Sequence, residues 1–233
     1  MMIVEIKNLK KIYAARTVVN IPQLQINEGE TIGLVGNNGA GKTTLFRMLL
    51  DLIRPDEGGI FSKGENVAKT DDWKNYTASF LDENFLIDYL TPEEYFIFIG
   101  SLHNMTRADV EQYLLRYKEF FNGEILNSGK YIRDFSKGNQ NKVGIAAALM
   151  QNPELLILDE PFANLDPTTQ IRLKSLVKTL STTHQVTTII SSHDLNHVTD
   201  VCDRIILLEK GIVIKDIKTT ENTLQELEAY FSA

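Results

Sequence analysis

The 233-residue sequence contains one cysteine, Cys202, which excludes any internal disulfide. A fold stapled by cross-links is ruled out, and a reducing compartment such as a cytoplasm suits the chain. Long apolar runs are missing too. The longest nearly uncharged stretches, such as residues 143–150, fall well short of the roughly 18 residues that span a bilayer, so any membrane role has to be borrowed from a partner. Excess positive charge is also absent. The 24 Lys and Arg residues stand against 31 Asp and Glu, a net charge of -7, without the broad basic footprint of a non-specific nucleic-acid binder. No nucleic-acid partner is expected. The N-terminal MMIVEIKNLKKIY lacks a positive region leading into an apolar stretch; it alternates apolar and polar residues and reads as a strand, not a secretion signal. What the chain has in quantity is apolar side chain, 43% of residues, enough to fill the core of one large domain.

Residues 2–6 and the run Thr31-Ile-Gly-Leu-Val35 read as strands, the second apolar enough to be buried on both faces as in a parallel sheet. A glycine-rich loop follows, then a helical stripe of Leu45, Met48, Leu49 and Leu52, stopped by Pro55 and the Gly58-Gly59 pair. From about Phe85 the texture becomes helical. Thr91-Pro92-Glu93-Glu94 is a capping box with proline at the first helical position, leading into Tyr95, Phe98, Ile99 and Leu102. Val110, Tyr113, Leu114 and Tyr117 form a second stripe. Residues 84–135 contain no convincing strand and read as a helical insertion in an α/β protein, with the aromatic stripes serving core packing. After Ser136 come a helix to Met150, the apolar strand Leu155-Leu-Ile-Leu158, a helix carrying Leu173, Leu176, Val177 and Leu180, and the strand Thr187-Thr-Ile-Ile190. That alternation implies a parallel sheet. Two short strands around Gly211 and a last helix over 224–231 complete the chain.

Residues 36–44, GNNGAGKTT, match G-x-x-x-x-G-K-[ST] between a buried strand and a helix. Gly36, Gly39 and Gly41 let backbone N–H groups turn inward around phosphate, with Asn37, Asn38, Ala40 and Thr44 completing the loop. Lys42 supplies a charge to the β- and γ-phosphates of ATP, Thr43 a hydroxyl to Mg²⁺, and the helix aims its positive end at the anion. The apolar strand 155–158 ends in Asp159-Glu160. Asp159 would hold Mg²⁺ through water, and Glu160 would orient and deprotonate the attacking water. A second helix terminus, capped by Ser136 with Gly138 beside it, is also built for phosphate, although one ATP needs only one such loop.

These residues carry a family resemblance over essentially the whole chain. Phe135-Ser136-Lys137-Gly138-Asn139, followed by Gln140-Asn141-Lys142-Val143 and placed just upstream of Asp159-Glu160, resembles the signature of ATP-binding-cassette (ABC) nucleotide-binding subunits. The resemblance implies a P-loop α/β fold with a mainly parallel sheet, an N-terminal antiparallel β subdomain and an inserted α-helical subdomain. Its division would be a core of 1–83 and 136–233 and a helical part of 84–135. It implies an ATPase in which Ser136, Lys137, Gly138 and Asn139 serve the γ-phosphate held by a second subunit, so that two sites form in a head-to-tail homodimer or heterodimer. Tyr13 falls where an aromatic stacks on adenine, Asp166 in the loop that couples subunits, and His193 where a histidine contacts the γ-phosphate as a catalytic partner of Glu160 and Lys42.

Two departures stand out. Lys137 and Asn139 replace the usual glycine and glutamine, and Glu83 occupies the position of a glutamine that senses Mg²⁺ and the transport partner, so Glu83 is a further candidate metal contact. The Lys137 form resembles exporter-type members. The implied partner is a separately encoded integral membrane permease, with this chain peripheral on the cytoplasmic face of the membrane. A soluble ABC-type ATPase that remodels a cytosolic partner is the alternative.

Overall fold

Two sheets organise the chain in the computed structural model, which describes residues 1–232. The first is antiparallel. β1 (Met2–Tyr13) turns at Ala14 and Ala15, both at positive φ, into β2 (Arg16–Asn27), and β4 (Glu57–Ser62) with β5 (Glu65–Asn66) completes the order β2-β1-β4-β5. β1 therefore runs well past residue 6, and β2 was not anticipated. Pro22 is tolerated within β2 because that strand lies at the sheet edge, where a missing N–H need not be paired. Val19, Ile21, Leu24 and Ile26 point inward along it. The Gly58-Gly59 pair belongs to β4 and not to a helix stop. At Gly58, with φ +73°, a Cβ would lie 2.1 Å from the Asn8 carbonyl oxygen, so glycine permits the close pairing with β1.

The second sheet comprises β3 (Thr31–Val35), β6 (Thr77–Phe80), β7 (Leu155–Leu158), β8 (Thr187–Ser192), β9 (Arg204–Glu209) and β10 (Ile212–Lys218). Their order is β10-β9-β3-β8-β7-β6, and every neighbouring pair is parallel except the β9–β10 hairpin. The period of two along each strand divides the core. Leu155 and Ile157 join Ile32, Leu34, Ile189 and Ile206 beneath the antiparallel sheet and α1 (Lys42–Leu49). Leu156, Leu158 and Ile190 face the opposite core, which they share with the remaining helices. An α/β fold with a mainly parallel sheet and an N-terminal antiparallel sheet is what the residue patterns and the resemblance predict.

α2 (Pro92–Leu102), α3 (Arg107–Arg116) and α4 (Lys118–Phe121) precede α5 (Lys137–Ala148). Thr91 and Glu94 form the expected capping box: the Glu94 N–H donates to Thr91 Oγ1 at 3.3 Å and the Thr91 N–H to Glu94 Oε2 at 2.8 Å. The buried face of α2 differs from the stripe read in the sequence. Tyr95, Phe96 and Gly100 point inward, while Phe98 and Leu102 are exposed, because a Cβ at Gly100 would meet Val110 of α3 at 2.5 Å and the helix packs along that line. α1 also ends earlier than its apolar stripe suggests. Asp51 adopts φ +51° and the Leu52 N–H folds back to the Arg47 carbonyl at 2.8 Å, so Leu52 is left exposed before Pro55 is reached. α6 (Pro167–His184), α7 (Leu195–Val201) and α8 (Thr223–Ser232) complete the chain.

β3, β8 and β7 are consecutive across the sheet. Their carboxyl ends therefore deliver residues 36–44, His193 and Asp159-Glu160 to one crevice, the place where open α/β sheets bind ligands.

Candidate nucleotide and metal site

The loop after β3 is held by close backbone contacts. A Cβ on Gly36 would sit 2.2 Å from the Leu208 carbonyl oxygen, and one on Gly41 2.7 Å from that of Val18. Gly41, at φ +107°, precedes α1, whose first residue is Lys42. Lys42 is only 7% exposed, yet it is a cation. Its Nζ donates to the Gly36 carbonyl at 2.6 Å and lies 3.5 Å from Glu160 Oε1. A buried ammonium requires such partners.

Thr43 Oγ1 donates to Asp159 Oδ2 at 2.7 Å. The Ser191 hydroxyl donates to the other Asp159 oxygen and accepts from the Glu160 N–H at 2.8 Å. One side chain thus sets both acids. Burial pushes the Asp159 carboxyl above the ordinary aspartate range; the Ser191 and Thr43 hydrogen bonds and the Lys42 charge oppose this, whereas the Glu160 charge reinforces it. Glu160 sits at φ +47°, a left-handed conformation that costs a non-glycine residue roughly 1–2 kcal/mol. The turn aims its carboxylate at His193, whose ring Nδ1 lies 2.9 Å from Oε2 and whose backbone N–H donates to that oxygen at 3.3 Å. The Glu160 carboxylate therefore bridges Lys42 and His193.

Thr43 and Asp159 make an all-oxygen pair of the kind Mg²⁺ prefers. Among the described residues no group of three or more His, Cys, Asp or Glu side chains is placed to hold a metal. A single carboxylate and a hydroxyl fit an ion that fills its remaining positions with water and substrate phosphate oxygens.

A cleft of about 440 Å³ runs over the loop, with walls that include Arg16, Asn38, Gly39, Thr44, Glu160 and Lys210. Arg16 and Lys210 bring positive charge that sequence reasoning missed, because they come from opposite ends of the chain. Ser191 was missed as well; its only sequence signal is that it lies near the end of a strand, two residues before His193. Tyr13 ends β1 at the tip of the hairpin, 47% exposed, with Lys11 Nζ 5.2 Å from its ring centroid, and it does not line the cleft.

The α5 terminus stands apart from this cluster. Ser136 Oγ accepts from the Asn139 N–H at 3.3 Å. A Cβ on Gly138 would lie 2.3 Å from the Asn164 carbonyl oxygen, and Asn141 Nδ2 donates to the Ala163 carbonyl at 3.1 Å, so the helix is pressed onto the loop that follows Glu160. Asp166 caps α6 by accepting from the Thr169 N–H at 3.0 Å. Glu83 meets neither Thr43 nor Asp159 among its hydrogen-bond and ion-pair partners; it accepts from Lys137 Nζ.

A family model described as ABC transporter matches residues 19–163, more than half the chain. The chain belongs to the ABC transporter ATP-binding family. The linearmycin resistance ATP-binding protein LnrL of Bacillus subtilis is 34% identical over 209 residues, which cover 89% of this chain and 67% of LnrL. The bacitracin transport ATP-binding protein BcrA of Enterococcus faecalis is 33% identical over 221 residues, 94% of this chain and 70% of BcrA. This ABC subunit thus spans about two thirds of the length of these relatives. A dimeric, post-hydrolysis structure of the ATP-binding cassette MJ0796 bound to ADP and phosphate matches with a TM-score of 0.82 at 25% identity, covering 93% of this chain and 99% of that one. The ABC subunit binds ATP and hydrolyses it, and the energy drives a membrane transporter.

Proposed function

We propose that Lys42, Glu160 and His193 carry the hydrolysis, on the strength of one observation: the Glu160 carboxylate lies between the buried Lys42 ammonium and the His193 ring. Entry of ATP gives Lys42 a better partner than the Gly36 carbonyl, and the ammonium turns to the β- and γ-phosphates. Gly36 through Thr44 wrap the phosphates with backbone N–H groups. Thr43 and Asp159 would hold Mg²⁺, which supplies neutralising charge across the phosphate oxygens. Glu160 takes a proton from the attacking water as its oxygen bonds to the γ-phosphorus, and the bond to the ADP oxygen breaks. His193 orients Glu160 and faces the γ-phosphate. Tyr13, close in the hairpin to Arg16, offers its exposed ring to adenine.

The Ser136, Lys137, Gly138 and Asn139 terminus takes the γ-phosphate of a second ABC subunit, in a homodimer or heterodimer. Asp166, in the loop pressed on α5, couples the two subunits. We read 84–135 as a helical subdomain inserted in a core of 1–83 and 136–233. An apolar groove of about 410 Å³ lies beside it, with Leu52, Phe85, Tyr95 and Ile99 in its walls. Leu52 and Phe85 are exposed there, as are nearby Phe98 and Leu102, a patch suited to a protein partner. That partner is an integral membrane permease, which holds the subunit at the cytoplasmic face; no described helix is long and apolar enough to cross a membrane itself. Export is the direction favoured by the Lys137 form and by relatives named for resistance and bacitracin transport.

Glu160→Gln tests the assignment. Phosphate release should fall by about a hundredfold to ten-thousandfold while ATP-dependent association of two chains persists. Retained turnover removes Glu160 as the base.

A further inference from the structure

Two of the three positions at which this chain departs from the family pattern, Glu83 and Lys137, are bonded to each other. Glu83 follows β6 at the start of a 3-10 turn over Glu83–Phe85, and Lys137 is the first residue of α5; 54 residues apart in sequence, they form an ion pair. Each holds the other charged: the Lys137 hydrogen bond draws the Glu83 carboxyl down, and Glu83 draws the Lys137 ammonium up. A Lys137 side chain that is 67% exposed gains little stability from such a pair, so its value lies elsewhere. Its placement is informative. One side of the first turn of α5 is fixed by Gly138 against the Asn164 carbonyl and by Asn141 on Ala163, both in the loop that follows Glu160. The Glu83–Lys137 bond is a second tether, from the end of β6. Gln140 Nε2 adds a bond to the Phe135 carbonyl at 3.1 Å, in the segment just before the helix, so the Glu83–Lys137 bond is the side-chain tether that reaches the end of β6.

We propose that Glu83 is a positioning residue that acts through Lys137: the pair replaces two uncharged family residues as a unit and fixes the α5 terminus for the ATP of the second subunit. Glu83 is thereby the counter-ion of Lys137 and not a metal contact. The functional half of this proposal rests on the dimer reading above, whereas the tether itself is a property of one chain. Charge matching gives the reason the two departures belong together. A glutamine at 83 alone leaves an uncompensated cation at the terminus, a glycine at 137 alone leaves an uncompensated anion, and the two together restore neutrality.

The test is a double-mutant cycle on the full chain with Glu83→Gln, Lys137→Gly and both. The first readout is hydrogen exchange at the Asn139 and Gln140 amides in dilute protein without nucleotide. Exchange should rise in each single variant by about the same amount, and no further in the double variant, because all three lose the same bond. The second is the ATP concentration for half-maximal turnover, which should rise about fivefold in each single variant and to about the same level in the double, with kcat changed less than KM. Additive effects of the two substitutions in both readouts would overturn the pair. A shift in the Mg²⁺ requirement with Glu83→Gln, whatever residue stands at 137, would overturn it in favour of metal contact. If the exchange cycle is non-additive but no dimer forms, the tether stands and the dimer reading fails.

Discussion

Two helix termini in this molecule are candidates for phosphate, and they differ in what surrounds them. The α1 terminus is backed by a buried cation, Lys42, and within its cluster lie Asp159, Glu160 and His193. The α5 terminus has an exposed cation, Lys137, whose partner is Glu83, and its hydrogen bonds run to the loop after Glu160 and not to a base. The first gathers a cation, two acids and a histidine within one chain. The second has no acid or base of that kind beside it, and on the proposed reading it completes the site of a second chain. A helix terminus provides anion affinity, and the acids and bases beside it decide whether anything reacts.

The strongest way to break this contrast is Lys42→Met. It leaves Glu160 facing phosphate without its ammonium, and turnover should fall by about a thousandfold or more, measured as phosphate release at saturating ATP. Ser191→Ala comes next. It removes the hydroxyl that sets Asp159 and Glu160 together, and a loss of about ten- to a hundredfold in turnover is expected, with a raised Mg²⁺ requirement in the same assay. Gly138→Val addresses the other terminus. Its Cβ would strike the Asn164 carbonyl, so a loss of about 2 kcal/mol in urea unfolding is expected, with a defect in association in the fraction that remains folded. Thr91→Ala lies away from both termini. It should cost about 1 kcal/mol of stability by uncapping α2 and leave the ATP affinity of the folded chain unchanged, measured by titration with a fluorescent nucleotide.

The same contrast explains how much could be read from the sequence. The α1 loop is contiguous, and its strand, glycines, lysine and threonine all lie within residues 31–44. Asp159 and Glu160 were legible because an apolar strand ends in them. The rest of the cluster depends on neighbours in space. Ser191 matters only because β8 lies beside β7, and Arg16 and Lys210 meet only once both ends of the chain are folded. β2 escaped notice because Pro22 and the paired polar residues around it blur an alternation that an edge strand tolerates. In α2 the apolar spacing announced a helix but not its buried face, since the close approach of Gly100 to Val110 chooses Phe96 over Phe98. The sequence marked Glu83 and Lys137 as separate oddities. Their bond appears only when the end of β6 is brought to the start of α5.

The central claim is that the α1 terminus of one chain and the α5 terminus of another form one hydrolytic site, and mixing two inactive variants tests it most directly. Lys42→Met and Ser136→Arg should each be inactive alone. Mixed in equal amounts with ATP, they should recover about a quarter of the turnover of the unsubstituted chain, because about half the dimers then hold one intact composite site. Turnover no greater than the sum of the two separate variants would contradict the shared site.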